Sequence, residues 1–312
     1  MKAWGTLLRR VRDGVLVLWA AATLTFVAVN VSGGDTAMAI LGGPDALPTA
    51  EALAQVRAEY GLDDPLWLQY AHYLGRLATG DLGESYRLRI PVAQAIAEQL
   101  GATVALAGTA GLLAVLLALT SALLTAGRSS RVRAVMSAIE SGLSSAPTFV
   151  IGILLLLVFA FQWHLFPPSG SGGWQSLILP SLTLALPVSA VLALVLRHAL
   201  ETTLEQPFIG QARAWGLSDT RIRLFHALRH ALVPLVTLAG FVFASLLGGA
   251  VVVELLFGRQ GIGRLMLDAT STKDVPVVLG VTLLAAAIYV AVNLLVDLIN
   301  HGVDPRAAAT ST

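Results

Sequence analysis

Two histidines, His226 and His230, stand four residues apart in a stretch of helix-forming sequence. Imidazoles at this spacing share one face of an α-helix and can bind Zn²⁺ together. Between them, however, come only Ala, Leu and Arg, without the Glu that would serve as a general base, and no third ligand is in view. The pattern favours a basic helix that faces lipid phosphates, and we expect neither a metal site nor a catalytic residue here.

A glycine-rich segment, Gly258-Arg259-Gln260-Gly261-Ile262-Gly263, is similar at first sight to a phosphate-binding loop. Its glycines are in the wrong order, and no strand is expected before it. The chain also lacks a G-x-x-x-x-G-K-[ST] motif, and its only lysines are Lys2 and Lys273. We therefore expect a turn or a re-entrant element at 258–263, and no nucleotide or cofactor site in this chain.

Three acidic residues, Glu140, Glu254 and Asp297, lie close to long apolar stretches. Ionisable groups within a membrane are costly, so each is a candidate for function. All three are near the ends of the stretches, where snorkelling or helix capping also explains them. The structural interpretation is favoured for Glu140 and Asp297, whereas both interpretations stay open for Glu254.

Small residues are dense in the stretch that ends at Glu254. They allow either close helix packing or a narrow pathway for a solute, and the sequence does not separate the two. The candidate pathway residues are Glu254, Ser245, Gly248 and Gly249. A membrane-embedded hydrolase would need a Ser/His or a two-His-plus-acid constellation within the apolar stretches, and none is visible.

Composition excludes an ordinary soluble domain. The chain is 56% hydrophobic and 12% charged, with a mean hydropathy of +0.76, whereas soluble domains have roughly 25% charged residues. The net charge is only +1, so nucleic acid is not an expected partner. There is no cysteine, which excludes disulfides, thiolate metal sites and thiol catalysis.

Six stretches are long enough to cross about 30 Å of hydrocarbon as helices. The first is a charge-free run with no convincing cleavage site after it, so we expect a retained signal anchor. The fourth is separated from the third by a Pro/Gly/Ser turn at 167–173. The predicted spans are 14–34, 102–126, 141–163, 175–196, 231–253 and 275–296.

Orientation follows from arginines and lysines in the short loops. Basic residues occur in the N-terminal tail, in the loop between the second and third spans, and in the loop between the fourth and fifth, to which Arg197 is assigned. The loop at 164–174 has none, whereas the loop at 254–274 has Arg259, Arg264 and Lys273. We therefore expect both termini in the cytoplasm and a long external insert at 35–100 that contains two or three short helices.

The Arg-rich, Gly-punctuated segment 197–230 resembles the cytoplasmic coupling segment of ABC-transporter permeases, in particular the subfamily that imports peptides and nickel. The residues that carry this resemblance are Ala212, Arg213, Ala214, Gly216, Leu217, His226, Arg229 and Pro234. Similar blocks occur in the insert, at Leu62-Asp63-Asp64-Pro65, Gln69-Tyr70, Gly80-Asp81-Leu82-Gly83 and Pro91-Val92, and at the terminal Asp304-Pro305-Arg306. They agree in order and spacing over nearly the whole chain.

The resemblance implies an all-α polytopic protein of the bacterial cytoplasmic (inner) membrane, with the type I importer permease fold and one permease domain over 1–312. The implied partners are a second homologous permease, one or two ATP-binding subunits that hold ATP and Mg²⁺, an external solute-binding protein, and membrane lipid. Gly216 would end the coupling helix in the left-handed conformation, and Ala212 and Ala214 would fit a groove of the ATPase. Where relatives often read Trp-Pro-Gly, this chain has Arg259-Gln260-Gly261, which puts the external gate in doubt.

The solute stays open at this stage. Peptide, nickel-chelate, glutathione and opine importers share the scaffold that the resemblance implies. From another class, an ion-coupled secondary transporter would need coupling residues at mid-membrane and, often, inverted repeats, and neither is clear in this sequence. The leading hypothesis is the non-enzymatic permease subunit of an ABC importer for peptides or similar small solutes.

Overall fold

A computed structural model of the chain describes residues 2–31, 35–42, 47–170 and 172–303. These residues form a succession of helices, and an antiparallel bridge between Glu84 and Pro91 is the one pairing of extended backbone among them. The predicted all-α fold is confirmed. The terminal Asp304-Pro305-Arg306 block and the end of the first predicted span lie outside the described residues, as does the side chain of Asp297.

The chain divides into two compact units, residues 1–103 with 260–290 and residues 104–259 with 291–312. In chain order the helices are α1 (Lys2–Val31), α2 (Thr36–Ile40), α3 (Ala50–Tyr60), α4 (Leu66–Ala78), α5 (Val92–Thr125), α6 (Ser130–Ser145), α7 (Thr148–Leu155) with a π-helical continuation (Leu156–Gln162), α8 (Gln175–Leu204), α9 (Pro207–Ala214), α10 (Asp219–Arg221) with a π-helical continuation (Ile222–Ala227), α11 (Leu228–Ala231), α12 (Val233–Leu256), α13 (Ile262–Ser271) and α14 (Val275–Val303).

The first unit confirms the expected short helices of the insert. Helix α3 begins after Thr49, whose hydroxyl accepts from the N–H of Ala52, and ends at Gly61 in the left-handed conformation. Helix α4 contributes Tyr73 to a core that it shares with Ala22 of α1 and Leu279 of α14. The predicted boundary of the insert at residue 100 falls inside α5, which begins at Val92 because the helix continues beyond its apolar part.

A buried carboxylate fastens the loop before α5 to the start of α14. Asp274 is 3% exposed, and it accepts from the Ser85 hydroxyl at 2.5 Å and from the N–H groups of Tyr86 and Arg87 at 3.1 and 3.3 Å. The Ser85 hydroxyl oxygen accepts in turn from the N–H of Leu88. The loop thus has partners for backbone groups that would be costly to bury unpaired.

The second unit is built around α8, which packs against α6, α7, α11 and α12. Its buried residues Leu184 and Leu192 belong to the main core of the unit. A Cβ at Gly249 of α12 would lie 2.7 Å from the Leu184 side chain, so glycine is what permits this close approach. Two prolines, Pro180 and Pro187, lie within α8 without ending it.

The predicted third span, 141–163, is wrong as a single helix. Helices α6 and α7 meet at an angle of 104° across Ala146-Pro147. Ala146 is extended, with ψ of 133°, because the ring of the following proline disfavours the helical conformation. Residues 130–145, expected as a loop and the start of a span, are therefore a helix of their own.

Within the described part of the chain, four helices are long and apolar enough to cross a membrane: Arg10–Ala28, Val92–Thr125, Gln175–Leu204 and Val275–Val296. The bent pair α6–α7 makes a fifth if it counts as one span. The predicted fifth span corresponds to α12, whose shorter apolar part is Ala244–Leu256. The predicted fourth span ended at residue 196, whereas α8 continues to Leu204, so Arg197 belongs to a helix and not to a loop.

Candidate functional site: the coupling segment and its anchors

Helix α9 is a short, sharply bounded element. It starts with Pro207, whose fixed φ and missing N–H suit a first helical turn. At its other end the N–H of Gly216 donates to the carbonyl of Arg213, and the N–H of Leu217 donates to the carbonyl of Ala212. Gly216 has φ of +78°, as expected from the sequence. These bonds form a Schellman motif, which ends the helix at a defined residue.

The inner face of α9 packs on its own subunit. Ile209 and Ala212 are 0% and 4% exposed, and they share a core with Ile222 of the π-helical turn. Ala212 therefore cannot enter a groove of another protein, and the expectation that it does is wrong. Sequence alone could not tell which face of so short a helix is covered.

The outer face of α9 carries the residues available to a partner. Gln211 and Ala214 are exposed there, and Trp215 directly after the helix is 80% exposed. Phe225 in the π-helical turn is 71% exposed. Exposed tryptophan and phenylalanine side chains in a short polar segment are typical of an interaction surface.

Polar contacts hold the turn between α9 and the π-helical segment. The guanidinium of Arg213 lies 3.5 Å from the carboxylate of Asp219, and both side chains are more than half exposed.

His226 lies in the π-helical turn, whereas His230 is in α11 with its ring 5.4 Å from that of Phe208. The four-residue spacing of the histidines thus crosses a change of helix type, so the ligand geometry of a regular α-helix does not apply to them.

The far end of the segment is embedded in the second unit. Ala227 and Ala231 are both fully buried in a core with Leu196 and Leu200 of α8 and with the end of α5. Arg223 donates to the carbonyl of Leu123 at 3.5 Å. Arg229 is exposed, and Pro234 lies in the first turn of α12, where its missing N–H removes no helical hydrogen bond.

A buried ion pair joins α6 to α8 at the start of the coupling segment. The guanidinium of Arg197 donates to both carboxylate oxygens of Glu140, at 2.6 and 3.0 Å. The two side chains are only 7% and 5% exposed, and the Ser121 hydroxyl of α5 donates to the same carboxylate at 2.7 Å. Nearer the end of α8, Arg133 and Glu201 form a second, more exposed pair at 3.4 Å between the same helices.

Glu140 is therefore neither snorkelling nor capping a helix, contrary to the structural interpretation preferred from sequence. Its role is still structural, because the guanidinium of Arg197 in the same subunit balances the charge of the carboxylate. Sequence reasoning missed Arg197 by assigning it to a loop. The available signal was that Glu140 and Arg197 are the charged residues nearest to two adjacent apolar stretches.

The candidate pathway residues do not share one environment. The Glu254 side chain is 1% exposed, and Gly249 is a packing position against α8. Ser245 is half-buried, whereas Gly248 is exposed, with no other side chain near it. Of the four, Gly248 is exposed, Ser245 and Gly249 are partly exposed, and Glu254 is buried.

Arg259, in the Gly-rich segment 258–263, lies just beyond the C-terminal end of α12. Its guanidinium donates to the backbone carbonyl and to the hydroxyl of Ser176, at 3.1 and 3.3 Å. The backbone N–H of Arg259 donates to the backbone carbonyl of Glu254 at 2.8 Å. Burial lowers the pKa of Arg259, and the negative charge of Glu254 acts in the opposite direction. The glycines on either side make a turn as predicted, with Gly258 at φ of +59° and α13 starting after Gly261.

Comparison with known proteins gives the family. Residues 100–309 match the family described as binding-protein-dependent transport system inner membrane component, and residues 4–107 match the corresponding N-terminal family. The chain belongs to this family. It is an ABC importer permease of the peptide/nickel subfamily, a non-catalytic membrane subunit, and this assignment decides against a secondary transporter or a hydrolase.

Individual relatives agree with the family. The glutathione transport system permease protein GsiC of Escherichia coli (strain K12) is 36% identical over 300 residues, which are 96% of this chain and 97% of the relative. The GsiC protein of Salmonella choleraesuis (strain SC-B67) matches at the same identity and coverage. A chain of the MetNI methionine ABC transporter in inward-facing conformations matches with a TM-score of 0.57 at 19% identity, covering 68% of this chain and 97% of that chain. This likeness shows the type I importer permease fold.

Proposed function

We propose that this permease carries peptides or peptide-like small solutes, glutathione among them, inward across the bacterial cytoplasmic membrane. ATP hydrolysis would take place on one or two separate ATP-binding subunits, which hold ATP and Mg²⁺. A second homologous permease would complete the pathway, and an external solute-binding protein would deliver the solute. The name of the relatives supports glutathione over a nickel chelate or an opine, which remain the alternatives.

The observation that carries the proposal is the two-sided character of α9. Its outer face presents Ala214 and Trp215 to solvent, whereas Ile209 and Ala212 fix the inner face to the subunit. An element with one free face and one anchored face can receive a push from a partner and pass it on as a rigid body. We assign the free face to the ATPase and place it, with both termini, in the cytoplasm.

The buried contacts of the coupling segment indicate which helices would move when α9 is displaced. Ala227 and Ala231 connect it to the ends of α5 and α8, and the Glu140–Arg197 pair connects α8 to α6. Since packed interiors deform little, displacement of α9 would move these helices together. In this scheme Glu140 and Arg197 are positioning residues that keep α6 in step with α8, and Arg213, His226, Arg229 and Pro234 belong to the same coupling segment.

Transport in reconstituted membranes tests the proposal. The chain would be expressed with its neighbouring transporter subunits, inserted into vesicles, and supplied with the solute-binding protein and ATP. We expect ATP-dependent accumulation of glutathione or a dipeptide, and no accumulation with a non-hydrolysable ATP analogue. Accumulation that follows an imposed ion gradient without ATP would overturn the function, while accumulation of only a nickel chelate would overturn the solute class.

A further inference from the structure

The first unit contains an open cavity of about 1030 Å³, here called the acidic cavity. It is formed by α3, α4 and the loop that follows, together with the ends of α1 and α14. Its volume is slightly above the range of roughly 300–1,000 Å³ that is usual for small-molecule sites. It is therefore large enough for a peptide-sized ligand.

Negative charge predominates in its lining. Four carboxylates line the cavity, those of Glu59, Asp64, Asp81 and Glu84, against one guanidinium, that of Arg76. Among the residues that the structure describes, none of these four carboxylates has a basic side chain within ion-pair distance. Glu59, Asp81 and Glu84 are exposed and Asp64 is half-buried. Four carboxylates against one guanidinium favour a positively charged ligand.

A buried hydroxyl independently indicates a missing ligand. Tyr73 lines the cavity and is 7% exposed, with its ring stacked on that of Phe26 at 5.7 Å. Its hydroxyl has no hydrogen-bond partner in the described part of the chain. A buried polar atom without a partner is rare in native proteins, and it requires an explanation such as a ligand. Burial raises the pKa of Tyr73 to about 12, so at neutral pH this oxygen is uncharged and can accept a hydrogen bond from a cation.

Aromatic rings complete the environment. Tyr60 and Tyr86 also line the cavity and lie edge-to-face with their ring centroids 5.4 Å apart. Aromatic faces attract ammonium and guanidinium groups through the ring quadrupole, and carboxylates attract them through charge. The combination of the two favours a ligand that presents an ammonium or guanidinium group.

We propose that the acidic cavity binds an organic cation through its ammonium or guanidinium group. The cation is carried either by a peptide-sized solute or by a basic side chain of the external solute-binding protein. The carboxylates attract it, the tyrosine rings face it, and the Tyr73 oxygen accepts one of its N–H groups. That the cavity opens to the external side rests on the proposed function, whereas the binding itself does not.

Equilibrium dialysis with a labelled dipeptide tests the binding. The full chain, purified in detergent with the subunits that accompany it, is dialysed against arginyl-arginine, with glutamyl-glutamate as the probe of opposite charge. We expect saturable binding of arginyl-arginine alone. The double variant Asp81→Asn/Glu84→Gln should weaken this binding by about tenfold, since it removes two of the four attractive charges.

The matched control removes the same charge from the same insert but outside the cavity. Glu51 and Asp63 do not line it, so Glu51→Gln/Asp63→Asn should change the affinity by no more than about twofold. Equal weakening by both double variants would mean that only the overall charge matters, which would overturn the site.

Tyr73→Phe separates a ligand contact from a merely unpaired hydroxyl. If the oxygen accepts from the cation, the variant binds arginyl-arginine several-fold more weakly, while its melting temperature rises because the buried polar atom is gone. Unchanged binding with a raised melting temperature would remove the hydroxyl from the site and overturn the proposal as stated.

The two sources of the cation are distinguished by a second arm. If arginyl-arginine does not bind the wild-type chain, but Asp81→Asn/Glu84→Gln weakens association with the solute-binding protein, the cation is a side chain of that partner. If neither association nor dipeptide binding responds, the acidic cavity is not a cation site. Dialysis needs no ATP, so its failure leaves the transport proposal standing, and failed transport leaves the dialysis result standing.

Discussion

Glu140 and Arg197, 57 residues apart in sequence, form a bidentate ion pair that is almost completely withdrawn from solvent. The pair joins α6 to α8, and the Ser121 hydroxyl adds a contact from α5. It lies where α8 leads into the coupling segment, so three helices meet at one compensated charge. Because both charges have lost their hydration, each depends on the other for compensation.

Removal of one partner of this pair should be costly. Arg197→Ala leaves the Glu140 carboxylate buried and unpaired, and we expect a loss of about 3–5 kcal/mol in the free energy of unfolding. The double variant Glu140→Leu/Arg197→Met should be less destabilised than either single variant, because no uncompensated charge remains. Thermal unfolding in detergent measures both.

The second ion pair between the same helices provides the control. Arg133 and Glu201 are partly exposed, so Arg133→Ala should cost less than about 1 kcal/mol. Equal destabilisation by Arg133→Ala and Arg197→Ala would contradict the importance of burial for the Glu140–Arg197 pair.

Trp215→Ala tests the docking face of α9. The side chain is 80% exposed in the subunit alone, so its removal should leave folding unaffected. If Trp215 is an anchor for the ATPase, its loss should cost about 2 kcal/mol or more of association, roughly a thirtyfold change in affinity. The affinity of the ATPase subunit for the detergent-purified permease measures this. Trp174→Ala, which removes a tryptophan that is 71% exposed just before α8, should leave affinity unchanged.

Substitutions at Gly216 can distinguish backbone strain from steric interference with the ATPase. No atom lies within 4 Å of a Cβ built there, but φ of +78° makes a side chain unfavourable by about 1–2 kcal/mol. Asparagine tolerates this conformation, so Gly216→Asn should preserve uptake. Gly216→Trp should remain inserted but uncouple ATP hydrolysis from uptake, because its bulk projects from the face assigned to the ATPase. Equal uptake by the two variants at equal expression would remove Gly216 from the contact.

Ala212→Glu and Ala214→Glu compare the two faces of α9. Ala212 is packed with Ile209 and Ile222, so a carboxylate there lacks a partner and should destabilise the subunit by several kcal/mol. Ala214 is exposed, and Ala214→Glu should fold normally while it weakens binding of the ATPase. Protein level and melting temperature report the first effect, and affinity reports the second. Normal stability of Ala212→Glu would show that this face of α9 is accessible.

Orientation can be read from single cysteines, since the chain has none of its own. Cysteines at Ser130 and Ser218 should react with a membrane-impermeant maleimide only in inside-out vesicles. One at Ser169, in the loop between α7 and α8, should react only in right-side-out vesicles. Reaction of all three from the same side would refute the proposed topology.

The sequence by itself determined the class of protein and the local signals that end its helices. A membrane-crossing stretch must be apolar whatever its neighbours are, because lipid offers no hydrogen bonds, so the long helices could be predicted from composition. The end of α9 at Gly216 was equally predictable, since a left-handed residue is a local requirement of the backbone. The order and spacing of the motifs that resemble ABC-transporter permeases then identified the family.

Tertiary structure decided which residues are partners and which faces are covered. The 104° bend has a local cause at Pro147, whereas the inward position of Ala212 depends on packing against Ile222 of the following turn. The pairing of Arg197 with Glu140 joins residues that are 57 positions apart in the chain. Hydrophobicity patterns report how apolar a stretch is but not against which helix it packs, since lipid and a neighbouring helix are equally apolar surroundings. For that reason the coupling segment could be located from sequence, while its anchored face, its free face and the ion pair beside it required the fold.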